Sequence, residues 1–76
     1  MTGVRETILH LVLQRGAGKS ICPSEAARAL DPEHWQTLMP EIRRVAASMP
    51  EIMATQGGVE VDPLAARGPI RLRLRR

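Results

Sequence analysis

A chain of 76 residues has room for one compact core but not for a core plus a deep substrate cleft, because a domain this small buries only about 60% of the surface its unfolded chain exposes. Its one cysteine rules out an internal disulfide, and its longest apolar run is far short of the roughly 20 residues a membrane span needs. The net charge of +3 is unevenly placed: residues 1–66 carry six basic and eight acidic residues, whereas residues 67–76 carry five arginines and no acid. With one Trp and no Phe or Tyr, the core must be built from Leu, Ile, Val, Met and Ala. Residues 8–13 are apolar apart from His10, but Arg5 and Glu6 precede them and no small-residue cleavage site follows, so no signal peptide is read and a cytoplasmic location is expected.

The first element runs from Thr2 to Arg15. Val4, Ile8, Leu11 and Val12 recur at helical spacing, and Leu9 and Leu13 widen the apolar arc. Thr2 suits the N-cap, and Gly16 and Gly18 end the helix. A short extended piece, 19–22, then turns Ile21 toward the core. A second helix begins at Pro23, where a missing N–H costs nothing, and ends near Leu30, ahead of Asp31-Pro32. Asp31-Pro32-Glu33 restarts a third helix. Trp35, Leu38, Met39, Ile42, Val45, Ala46 and Met49 line its apolar face, which makes Trp35 a core residue. Thr37, Glu41, Arg44 and Ser48 line the opposite face, with Arg43 at its edge. Pro40 either kinks this helix or splits it in two.

Beyond Pro50 the period changes from helical to alternating. Residues 52–56 read as a strand, Gly57-Gly58 as a turn and residues 59–61 as a short return strand. After the turn around Asp62-Pro63 and the Gly68-Pro69 pair, residues 70–75 alternate strictly. Ile70, Leu72 and Leu74 fall on one face and Arg71, Arg73 and Arg75 on the other, as in a half-buried strand at a sheet edge.

The order of elements predicts an α+β fold: a three-helix winged helix-turn-helix with a C-terminal β-hairpin wing, in one domain over 1–76. The phrases Lys19-Ser20-Ile21-Cys22-Pro23-Ser24-Glu25-Ala26-Ala27-Arg28-Ala29-Leu30, Trp35 with Leu38-Met39-Pro40-Glu41-Ile42-Arg43, Thr55-Gln56-x-Gly58, Val61-Asp62-Pro63 and Ala66-Arg67-Gly68-Pro69-Ile70-Arg71-Leu72 carry a resemblance. From about Ile8 to Leu74 the chain resembles a family of small bacterial domains of unknown function. The resemblance implies a winged-helix-like fold and no particular activity.

No enzymatic constellation stands out. Cys22 at a helix start is the one candidate nucleophile, and His10 and His34 lack metal-ligand spacing to it or to each other. Gly16-Ala17-Gly18-Lys19-Ser20 ends like a phosphate loop, but Leu13 stands where that motif needs Gly. No catalytic residue, metal or cofactor is expected. The arginine-rich end points instead to nucleic acid, with DNA favoured over RNA. The candidate contacts are Arg43 and Arg44 on the third helix, Gln56 and Arg67 in the wing, and Arg71, Arg73, Arg75 and Arg76 on the last strand. The alternative is a protein-interaction or dimerisation module that uses the sheet edge at 70–74, with the arginines meeting an acidic surface.

Overall fold

A computed structural model describes residues 3–75. Helix α1 (Val4–Arg15) starts after Gly3, whose carbonyl accepts from Thr7 N–H at 3.0 Å; Thr2, the expected cap, lies outside the described residues. Ile8 and Val12 are fully buried, and Val4 and Leu11 pack beside them. Leu13, which the spacing assigns to the apolar arc, is instead 57% exposed. At 100° per residue it lies opposite Val4, and the flank of the buried arc is filled by Thr7. Helix α2 (Pro23–Leu30) has the expected bounds and buries Pro23, Ala26 and Ala27.

The third helical region is split. Asp31 Oδ1 accepts from the N–H groups of Glu33 and His34, which makes Asp31 the cap of a turn rather than of a helix. A 3-10 turn spans Trp35–Leu38, and α3 (Met39–Ala47) follows with Pro40 in its first turn. Of the two readings of Pro40, the split wins, because proline fits a helix start without losing a hydrogen bond. Helix α3 stops at Ala47, before Pro50. Trp35 packs against the core but is only partly buried, with the Arg28 guanidinium 4.4 Å from its ring centre.

Strands β1 (Ile52–Gln56), β2 (Val59–Val61) and β3 (Arg71–Leu74) form an antiparallel sheet in the order β2-β1-β3. Gly57 and Gly58 both take positive φ, as a two-residue turn between twisted strands requires. Ile52 pairs with Leu74 and Ala54 with Leu72, turning these side chains toward the helices. Met53 pairs with Arg73 and Thr55 with Arg71 on the outer face. Beyond β3, Ile21 makes a one-residue antiparallel bridge to Leu72, with two hydrogen bonds of 2.8 Å. The outer edge of β3 is therefore already engaged at its centre.

Ile8, Val12, Ile21, Ala26, Ala27, Ile42, Ala46, Met49, Ile52, Ala54, Ile70 and Leu72 form one aliphatic core between the helices and the sheet. Three helices followed by a three-stranded antiparallel sheet make an α+β fold compatible with a winged-helix arrangement. Among the described residues, no helix is long and apolar enough to cross a membrane.

Candidate nucleic-acid interface

The candidate cations do different jobs. Arg43 leaves α3 toward the segment between β2 and β3. It donates through Nη1 to the carbonyls of Ala66 (2.9 Å) and Pro63 (3.4 Å), and through Nη2 to Gly68 (2.6 Å). Gln56 donates from Nε2 to the carbonyls of Arg67 and Pro69. Two side chains that the sequence offers as ligands thus fasten the wing segment, one to α3 and one to the end of β1. They satisfy carbonyls that a segment without secondary structure leaves unpaired.

On the exposed face of α3, Arg44 makes two hydrogen bonds to Glu41 one turn back. Those hydrogen bonds hold the Glu41 carboxyl below its ordinary value and push Arg44 up. Thr37 Oγ1, in the 3-10 turn before α3, and Ser48 Oγ, at its C-terminal cap, donate to the carbonyls of His34 and Val45. This face is charge-neutral, and its polar groups are internally paired.

The outer face of the sheet is more basic. Arg75 reaches Glu60 on β2, and its hydrogen bond lowers the Glu60 carboxyl and raises Arg75. Arg73 is partly buried, and its Nε has no partner among the described residues. Arg67 is exposed and has no carboxylate partner among the described residues. Arg76 lies outside the described residues. Arg71 donates from Nε to Ser20 Oγ (2.9 Å), from Nη2 to Ser20 O (3.0 Å) and from Nη1 to Cys22 Sγ (2.9 Å). It therefore ties β3 to the connection between α1 and α2.

Arg71 leads to a cluster absent from the sequence-based candidates. Arg15, at the end of α1, donates from Nη1 to the same Ser20 carbonyl (2.9 Å) and pairs through Nη2 with Glu25. The other Glu25 oxygen accepts from Cys22 N–H at 2.9 Å, capping α2. Partial burial pushes the Glu25 carboxyl up. The Cys22 hydrogen bond and the hydrogen bond and charge of Arg15, together with the charge of Arg71, outweigh it and leave the group below its ordinary value. Lys19 stands exposed beside this cluster. The one sequence signal for the site is the spacing of Arg15, Lys19 and Glu25 around a glycine turn; the contribution of β3 is not local.

Trp35 has one ring face covered by Arg28. Among the described residues, no group of three or more His, Cys, Asp or Glu side chains is placed to hold a metal ion. No curated protein matches the chain. The model of the family described as "protein of unknown function (DUF3253)" matches residues 2–75, and the chain belongs to that family.

Proposed function

We propose that this protein is a non-enzymatic nucleic-acid-binding domain of winged-helix type, acting on DNA in preference to RNA. The carrying observation is the concentration of arginine at the C-terminal end, with β3 turning Arg71, Arg73 and Arg75 to the outer face of the sheet. Arg67 in the wing segment is a further phosphate ligand, whereas Arg44, matched by Glu41 on the exposed face of α3, is not. Arg75 remains open to phosphate although it pairs with Glu60, because an ion pair so exposed is weak and screened by salt. Arg43 and Gln56 enter as fasteners of the wing. DNA is favoured because the major groove accepts a helix such as α3. A cytoplasmic setting fits the single free Cys22.

The test is titration of the whole chain into labelled random duplex DNA and single-stranded RNA across a range of salt. Binding should fall steeply with salt, and the double variant Arg67→Ala/Arg73→Ala should lower the log–log slope by about 1 for each arginine that neutralises a phosphate. Absence of binding to either nucleic acid at low salt overturns the proposal.

A second reading, a protein-docking or homodimerising module, is favoured by the uncovered side of the sheet. There β2 is an edge strand, and Val59 and Leu64 are 66% and 63% exposed. Beside them an open groove of about 670 Å³ runs between the end of α3 and β1–β2, lined in part by Met49, Met53, Val61 and Leu64. A concentration-dependent mass in sedimentation, with no nucleic-acid binding, would select this reading.

A further inference from the structure

We infer that the phosphate backbone is held chiefly at the junction of the α1–α2 connection with β3, by Lys19, Arg15, Arg71 and Arg73, and not by the exposed face of α3. The inference rests on the nucleic-acid reading above and deepens it by naming the contact surface. Two guanidiniums, from Arg15 and Arg71, converge on a single acceptor, the Ser20 carbonyl, at 2.9 and 3.0 Å. Two like charges are thereby held side by side at the surface. The antiparallel register of the Ile21–Leu72 bridge sets Arg73 across from Ser20, and Lys19 precedes Ser20 in the chain.

Glu25 is the one carboxylate hydrogen-bonded within this group, and both its oxygens are taken, by Arg15 and by Cys22 N–H. Arg15 and Arg71 therefore share this one acid, with Lys19 next to Ser20 in the chain and Arg73 next to it in register. Such a concentration of like charge is unfavourable in the free protein and is relieved by a polyanion. The α3 face offers the reverse: Arg44 is matched by Glu41, and the hydroxyls of Thr37 and Ser48 are bonded to their own backbone.

The glycine turn makes the surface accessible. Gly16 and Gly18 both adopt positive φ, and Lys19 N–H bonds to Gly16 O at 3.2 Å, so Lys19 projects from a closed turn into solvent. Its side chain has no hydrogen bond or ion pair among the described residues. It can be replaced without disturbing the fastening that Arg15 and Arg71 provide.

The experiment measures the affinity of the whole chain for a random DNA duplex at several salt concentrations, for the wild type, Lys19→Glu, Lys19→Ala and Arg44→Ala. Lys19→Ala should weaken binding about tenfold at about 0.1 M salt and lower the salt slope by about 1, Lys19→Glu should weaken it further, and Arg44→Ala should leave affinity within about twofold. Circular dichroism of each variant checks that the fold is kept. A bound wild type with Lys19→Glu unchanged and Arg44→Ala weakened overturns the inference and leaves the nucleic-acid reading standing. A wild type that does not bind overturns both.

Discussion

Arg43 shows how a charged side chain at the edge of a helix can serve architecture. Its guanidinium fork reaches carbonyls at Pro63, Ala66 and Gly68, three points along one irregular segment. Hydrogen bonds from a charged donor are worth about 1.5–3 kcal/mol each at most, and part of that is offset where the group is solvated. Arg43→Ala should therefore destabilise the fold by about 1–3 kcal/mol in urea denaturation, through loosening of residues 62–69. Arg43→Lys should recover little of the loss, because an ammonium lacks the planar fork that meets several acceptors at once. From sequence, Arg43 lies at the edge of the face that carries Arg44, and both read as candidate ligands. The structure separates them by partner: carbonyls across the fold for Arg43, a carboxylate one turn away for Arg44.

Among the elements, the helices and strands follow their periodicities closely. The α2 boundary at Pro23, the break at Asp31-Pro32, the strand over residues 52–56 and the Gly57-Gly58 turn are all local signals, set by backbone chemistry within a few residues. The segment before α3 is where pattern and packing part. Helical spacing makes Trp35 a core residue, for which replacement by Ala would cost about 3–5 kcal/mol. The 3-10 turn instead leaves the indole at the margin of the core, under Arg28. Trp35→Ala should cost about 2 kcal/mol, less than a fully buried aromatic, and Arg28→Ala about 0.5–1 kcal/mol. The same Arg28→Ala variant should shift the emission of Trp35, the sole tryptophan, which chemical denaturation monitored by fluorescence would reveal.

At the scale of the whole molecule, three carboxylates among the described residues, Glu25, Glu41 and Glu60, lie below their ordinary value of 4.5 in the folded state, each with an arginine partner from Arg15, Arg44 or Arg75. A depressed folded-state value means that stability is fully present above the unfolded-state value and is lost as pH falls through the folded one. The urea midpoint should thus be level near neutrality and decline below about pH 4.5, and Glu25→Gln should make that decline shallower by removing one titrating group. The salt bridge from Arg5 to Glu51 joins α1 to the approach to β1, so charged pairs as well as the aliphatic core link the helices to the sheet. The sequence by itself determined the α+β class, the order of elements, the aliphatic core and the excess of arginine at one end, because these depend on residue type and short-range spacing. Only the tertiary structure decided which arginines are fasteners and which are paired with carboxylates. It also brought Arg15 and Lys19 to Arg71 through the Ile21–Leu72 bridge. The physical reason is that the partner of a long charged side chain is chosen by proximity in space: Arg71 meets Ser20 across 51 positions of chain, a separation over which no sequence period carries information.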